Sequence, residues 1–227
     1  MKAIRNALFI LTLFVFMPAA IVMALVWVPP AEILGEASRI LYFHVPLAFL
    51  AVLSFVIAGC RSIMILIKDN KVAEREHKAY NAAFLGMFFT VLTIITGSIW
   101  AKISWGSYWN WDPRETSIVY LMLIYISYFC LYAVLGDNEN RGRISAVYLI
   151  IAMIAMPFFV FIIPRMYPSL HPDTIINSEG KVHLEYAMRL TLLISTTVFT
   201  LLYAYIYSIM NRISALQIKA EEKYYDI

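Results

Sequence analysis

The chain has 227 residues, of which 62% are hydrophobic and only 15% are charged, and its formal net charge is +3. This balance excludes a soluble domain, because so few charged side chains could not cover its surface. The small positive excess gives no indication of nucleic-acid binding.

Six apolar runs are each close to the roughly 20 residues that a helix needs to cross a bilayer. They lie at residues 7–28, 45–67, 80–101, 117–135, 144–163 and 186–210. We therefore predict an all-α integral membrane protein with six transmembrane helices, forming a single domain over residues 1–227. Lys2 and Arg5 precede the first run, but its apolar core is too long for a signal peptide, so it is expected to be retained.

The distribution of Lys and Arg predicts the orientation of the spans. With the N-terminus inside, twelve of the 18 basic residues lie in cytoplasmic segments or at the inner end of a helix. Basic residues are retained on the cytoplasmic side, so both termini are predicted to be cytoplasmic. Glycines within the runs, at Gly59, Gly86 and Gly97, favour close approach between helices.

The first outer connection, residues 29–44, predicts a short amphipathic helix on the membrane surface. Ile33, Ala37, Ile40 and His44 fall on one helical stripe, which directs His44 toward the apolar side. Pro46 is expected to open the second span just after it, because proline suits the first position of a helix.

The second outer connection contains the stretch WGSYWNWDPRET, which starts at Trp105. Tryptophan and tyrosine are enriched where a membrane meets water, so part of this stretch is typical of an interfacial belt. Asp112 followed by Pro113 and Glu115 is the pattern of a helix N-terminus with a capping box, so the fourth helix is predicted to begin there.

The number of aromatic residues exceeds what a belt needs, because four of them fall within seven residues. Gly106 allows close backbone approach, and if the segment is helical, Trp105 and Trp109 stack one turn apart. Such a surface suits a large, flat, apolar ligand.

The third outer connection, residues 164–183, is predicted to be a non-helical loop because it contains three prolines. It holds His171 and His183, so three of the four histidines are expected outside, and none in the middle of a membrane helix. Imidazoles bind metals, and Arg39 and Arg114 offer paired donors to carboxylates. A flat macrocycle, a metal and two carboxylates together describe haem.

The stretch WGSYWNWDPRET is similar to the tryptophan-rich WWD signature (WGxxWxWDxR) of the haem-handling proteins of cytochrome c biogenesis. The segments RILYFHVP at Arg39–Pro46 and LH at Leu170–His171 resemble the two histidine regions of the cytochrome c maturation protein C family. This resemblance covers the whole chain, with the WWD loop between helices three and four and a histidine region on each side of it.

The resemblance implies a haem-binding protein, not an enzyme, that holds haem b without a covalent bond and transiently on the extracytoplasmic face. By similarity, His44 and His171 would be the axial ligands, and Arg39 and Arg114 would bind the propionates. The platform would consist of Trp105, Gly106, Trp109, Trp111 and Asp112. The implied partners are a membrane-anchored haem chaperone, ABC transporter subunits and a small membrane subunit, in a bacterial inner membrane with the haem site facing the periplasm.

Three alternatives remain at this point. The ending DPRET is closer to the related CcsA-type cytochrome c synthase family, although that family is larger and has histidines within its membrane helices. A haem-b electron-transfer subunit would also place histidines in the helices. A solute transporter would show midplane charge or broken helices in paired halves, whereas Pro18 and Pro157, which could kink helices one and five, are not in corresponding positions.

Overall fold

A computed structural model of the protein describes residues 2–68, 70–171 and 184–225. The α-helices are α1 (Lys2–Val22), α2 (Leu41–Ile67), α3 (Val72–Trp105), α4 (Pro113–Leu135), α5 (Arg141–Pro157), α6 (Ile163–Met166) and α7 (Tyr186–Tyr225). Two π-helical segments, Met23–Trp27 and Phe158–Ile162, extend α1 and α5, and a 3-10 helix, Glu36–Ile40, leads into α2.

The described residues contain six helices that are long and apolar enough to cross a membrane, as predicted. The fifth of these combines α5, the second π-helical segment and α6. Several helices are longer than the apolar runs, because polar sequence of good helix propensity continues them. Helix α3, for example, has 34 residues and therefore a length of about 51 Å, whereas the bilayer core is about 30 Å thick.

Helices α2, α3, α4 and α5 share the largest core cluster. In it, the rings of Phe55 and Tyr125 lie 3.6 Å apart between centroids. Gly86 makes this approach possible, because a Cβ atom at that position would lie 2.0 Å from the hydroxyl of Tyr125 and 2.9 Å from the Cβ of Ser54. The predicted use of Gly86 for close helix packing is confirmed.

The predicted amphipathic surface helix before α2 is wrong. Residues 31–35 form a tight turn, and Ser38, which follows it, holds the two ends of the turn together. The Ser38 hydroxyl accepts a hydrogen bond from the N–H of Ala31 and donates one to the carbonyl of Gly35. Gly35 has a φ of 53°, a conformation that does not continue a helix. Ile33, assigned to the apolar stripe, is 95% exposed.

The second span therefore begins earlier than predicted. The 3-10 helix continues directly into α2 at Leu41, which places His44 in the first turn of α2 and Pro46 inside the helix. Tyr42 is fully buried in this turn and packs in a cluster with Ala24 and Val28 of the first span, which favours the earlier start. His44 thus lies near one end of a membrane helix and not in the connection before it.

Candidate functional site

Helix α3 ends at Trp105, and the WWD loop that follows it is not helical. Gly106 has a φ of 82°, and its N–H donates to the carbonyl of Lys102, which closes the last turn of the helix. Trp109 forms an edge-to-face pair with Trp111 at 5.9 Å instead of stacking on Trp105. The stacking expected for a helical segment is therefore absent from this loop.

Trp111 is the most exposed tryptophan of the loop. It adopts a φ of 58°, which is uncommon for a residue other than glycine, and it is 77% exposed. Tyr108 is also exposed, at 61%, and its ring lies 5.6 Å from the Lys102 ammonium group. The loop thus presents aromatic surface outward as well as toward the helices.

The N-terminus of α4 has the predicted capping box. Asp112 is the N-cap residue and accepts a hydrogen bond from the N–H of Arg114, while Glu115 accepts one from the N–H of Asp112. Glu115 also accepts a hydrogen bond from the N–H of Asn110, at 2.8 Å, and so fixes the end of the WWD loop. This local geometry follows from residue types that the sequence places next to each other.

Asp112 also binds the loop that carries His171. One carboxylate oxygen accepts hydrogen bonds from the Ser169 hydroxyl at 2.9 Å and from the Leu170 N–H at 2.7 Å. The other accepts a hydrogen bond from Nδ1 of His171 at 2.8 Å. Asp112 is only 4% exposed, so the sequence-based assignment to an aromatic platform missed its principal contacts.

The pKa values of Asp112 and His171 both lie below their ordinary values, for different reasons. Burial acts to raise the pKa of the Asp112 carboxyl, but the hydrogen bonds it accepts and the nearby His171 outweigh burial and lower that pKa. Burial lowers the pKa of His171 below its ordinary value, even though Asp112 acts in the opposite direction. A neutral imidazole that donates from Nδ1 has a free lone pair on Nε2.

Two tryptophans pack against His171. Trp105 meets the imidazole edge-to-face at 4.9 Å, and Trp100 lies at 5.7 Å with a tilt of 37°. The two indoles also pack together, at 4.8 Å. Sequence analysis missed Trp100, although its position near the end of the third apolar run, five residues before Trp105, was the available signal.

His44 is fixed by helix α3. Its Nδ1 lies 2.9 Å from the hydroxyl of Thr96, and that hydroxyl donates its own proton to the carbonyl of Leu92 at 2.8 Å. With that proton directed at Leu92, the Thr96 hydroxyl accepts a hydrogen bond from Nδ1–H of His44, and in this tautomer the lone pair lies on Nε2. Gly97 lets the ring lie against α3, because a Cβ atom there would be 3.0 Å from the ring carbon Cε1. Thr96 was not identified from the sequence.

Both imidazoles line one cavity of about 180 Å³. Trp109 and Arg114 also line it, as do Glu115 and Ser117, each of which has a buried side-chain oxygen without a hydrogen-bond partner among the described residues. Its apolar lining consists of Ala48, Ile94, Ile118, Val160 and Pro164. Four of the predicted site residues therefore line the cavity, namely His44, His171, Trp109 and Arg114, and two more, Trp105 and Asp112, contact His171.

Arg39 does not line this cavity. Its guanidinium group donates to the carbonyls of Ala24 at 3.1 Å and Val28 at 3.0 Å, at the end of the first span, and it is ion-paired with Glu36. These contacts satisfy carbonyls that the helix end leaves without partners. Propionate binding by Arg39 stays a prediction. His183 lies outside the described residues.

The family model described as Heme exporter protein C matches residues 1–225. The chain belongs to this family. The match confirms the family that the WWD segment and the histidine regions predicted, in preference to the cytochrome c synthase family and the electron-transfer and transporter alternatives. It supports a role in haem handling for cytochrome c maturation.

Curated relatives agree with the family match. Heme exporter protein C of Bradyrhizobium diazoefficiens is 31% identical over 169 residues, which are 74% of this chain but only 63% of that protein. Heme exporter protein C of Rhodobacter capsulatus is 28% identical over 205 residues, or 88% of this chain and 84% of that one. A protein of Marchantia polymorpha, described as a putative cytochrome c biosynthesis ccmC-like mitochondrial protein, is 28% identical over 186 residues, or 81% and 78% of the two chains.

Proposed function

We propose that this chain holds haem b between His44 and His171 on the extracytoplasmic side of the membrane and delivers it to a membrane-anchored haem chaperone. The observation that carries the proposal is the pair of imidazoles on one cavity, each with Nδ1 engaged and Nε2 free. They come from sequence positions that are far apart, so their convergence is a property of the fold.

The residues of the cavity fit haem. Haem, when bound, supplies an iron ion whose axial positions accept imidazole nitrogen. His44 and His171 are the two donors, and both have the Nδ1 partner that metal-bound histidines usually have. The apolar lining from α2, α3, α4 and the second π-helical segment suits a porphyrin face.

The cavity encloses only part of such a ligand. Its volume of about 180 Å³ is below the range of roughly 300–1,000 Å³ typical of sites that enclose small molecules. The remaining ring surface would contact the WWD loop, where Trp109 faces the cavity and Trp111 is exposed. Incomplete enclosure suits a protein that must release its ligand to another one.

Arg114 is the propionate-binding residue that the geometry favours. It lines the cavity, and its guanidinium charge acts to lower the pKa of His171, so the two side chains are close. A guanidinium group is planar and always charged, and it binds carboxylates through paired donors. Arg39 would contribute to the second propionate only after exchanging its bonds to Glu36 and to the first span.

The proposed partners are the membrane-anchored haem chaperone, ABC transporter subunits and a small membrane subunit, as the family resemblance implies. The proposed location is a bacterial inner membrane, with the WWD loop and both histidines facing the periplasm. The excess of basic residues on the opposite side supports this orientation. The protein acts by binding and transfer, and no chemical conversion of haem is assigned to it.

An absorption spectrum of the detergent-purified protein, before and after reduction with dithionite, tests the proposal. We expect a Soret band and sharp reduced α and β bands, with lower haem retention in His44→Ala and in His171→Ala. His77→Ala, which removes a histidine from the opposite end of α3, is the matched control and should retain haem. The absence of haem from the wild-type protein supplied with haem, or unchanged retention in both single variants, would exclude this function.

A further inference from the structure

We propose that the two axial histidines are unequal: His171 is the strong ligand, His44 is the weak one, and His44 leaves first when haem is passed on. This inference rests on the proposed function and adds the order of ligand release to it. It is carried by the different partners of the two Nδ1 atoms, an ionised carboxylate for His171 and a neutral hydroxyl for His44.

The carboxylate makes His171 the stronger donor. A hydrogen bond from an imidazole N–H to a carboxylate gives the ring anionic character and raises its basicity as a metal ligand. The distance between Nδ1 and the Asp112 carboxylate is 2.8 Å, and the carboxylate side chain is 1% exposed, so water does not weaken this contact. Charge-assisted hydrogen bonds of this type are about twice as strong as neutral ones.

The hydroxyl orients His44 without adding charge. Thr96 accepts from Nδ1 at 2.9 Å while donating to the carbonyl of Leu92, so it fixes the tautomer that exposes Nε2. The backbone carbonyl of Thr93 is a further hydrogen-bond acceptor for His44, and it is also uncharged. Gly97 of the same helix faces the cavity beside the ring and carries no charge. Thr96 is therefore a positioning residue for His44, and it does not strengthen the ligand as Asp112 strengthens His171.

Loop mobility does not reverse this order. A histidine on a loop would ordinarily move more easily than one in a helix. Here, however, Asp112 ties Ser169 and Leu170 to the N-terminus of α4, and Trp100 and Trp105 pack on the imidazole of His171. Both rings are thus held in place, and the difference in donor strength decides which bond is weaker.

The release step is a ligand exchange. The bond between iron and Nε2 of His44 breaks, and the lone pair returns to that nitrogen. An incoming donor with its own lone pair, such as an imidazole of the acceptor protein, forms the new bond. The oxidation state of the iron does not change and no proton is transferred, so the step needs no oxidant or reductant.

The first test compares haem dissociation from His44→Ala and His171→Ala, with free imidazole as the probe of the vacated position. We expect haem to dissociate at least about 10-fold faster from His171→Ala, consistent with the 10- to 100-fold effects of altered metal-ligand support. Imidazole should restore the six-coordinate spectrum of His44→Ala. Equal dissociation rates, or faster loss from His44→Ala, would overturn the proposed order.

The second test alters only the partners of the two rings. Thr96→Val, which keeps the side-chain shape, should speed exchange of one axial ligand by free imidazole about 10-fold, and Thr96→Ser should restore the wild-type rate within about twofold. Asp112→Asn keeps a capping side chain but removes the charge, so it should raise the reduction potential of the bound haem. A potential that is the same in Asp112→Asn and wild type would contradict the role of the carboxylate.

The outcomes separate this inference from the proposed function. If the wild-type protein binds no haem, the proposed function fails and neither comparison can be made. If it binds haem through both histidines but Thr96→Val exchanges like wild type, only the inequality of the ligands fails. If Asp112→Asn does not yield folded protein, the ranking of the two histidine variants and the Thr96 pair still decide the question.

Discussion

The substitution Gly97→Ala tests the position of His44 directly. An added Cβ would lie 3.0 Å from Cε1 of His44, whereas carbon atoms in good contact are about 3.5–4.0 Å apart. The ring would therefore have to move by about 0.5–1 Å. That shift exceeds the roughly 0.5 Å within which ligand groups must be held, and it would also lengthen the 2.9 Å contact with Thr96.

We expect Gly97→Ala to weaken haem binding by about 10-fold, as changes in the support of a metal ligand do. The stability of the protein should not fall, because alanine in a helix is favoured over glycine by about 0.5–1 kcal/mol. Haem titration followed by absorption gives the affinity, and the temperature at which detergent-solubilised protein loses its monodisperse elution peak gives the stability.

Gly86→Ala is the matched control for Gly97→Ala. It lies eleven residues earlier in α3, or about 16 Å along the helix axis, and its Cβ would clash with Tyr125 in the core. It should lower thermal stability without changing haem affinity per folded molecule. Wild-type haem affinity in Gly97→Ala would refute the assigned position of His44. An equal loss of haem affinity per folded molecule in Gly86→Ala would refute it as well.

The two arginines that the sequence assigned to the propionates should behave differently. Arg114→Gln should weaken haem binding, because Arg114 lines the cavity. Arg39→Gln should lower the melting temperature, since Glu36 and two carbonyls of the first span lose their donor. Arg141, the first residue of α5, is ion-paired with the buried carboxylate of Glu76 near the start of α3. Arg141→Ala should cost about 1–2 kcal/mol because Glu76 loses its cationic partner. This is below the range for fully buried pairs, since the Arg141 side chain is 28% exposed. Adding Glu76→Gln should recover part of that loss, and thermal unfolding of the four variants without haem checks these stabilities.

Local chemistry explains which parts of the site could be predicted. Asp112, Pro113 and Glu115 define the start of α4 because a capping box involves only residues within one turn. The apolar runs likewise predict the six spans, since the length of a membrane helix is set by the bilayer. The error before α2 arose because a helical stripe was inferred across Gly35, whose backbone conformation ends the turn.

Contacts between distant residues could not be predicted in the same way. His171 and Asp112 are 59 residues apart and His44 and Thr96 are 52 apart, so only the packed helices bring each pair together. A threonine in an apolar helix normally bonds to its own backbone, and Thr96 does so with Leu92. Nothing in its local sequence indicates that the same oxygen also orients a histidine.

The hydrogen bonds of Asp112 explain why one residue belongs to both the predictable and the unpredictable parts of the site. A carboxylate has about four acceptor positions. The N–H of Arg114 and Nδ1 of His171 share one oxygen, while Ser169 and Leu170 share the other. The cap that starts α4 is therefore also the anchor of His171, so any movement of that helix end changes the position of the proposed strong ligand. Asp112 thus couples the end of the WWD loop to the proposed haem site, in addition to the contacts that Trp105 and Trp109 make there.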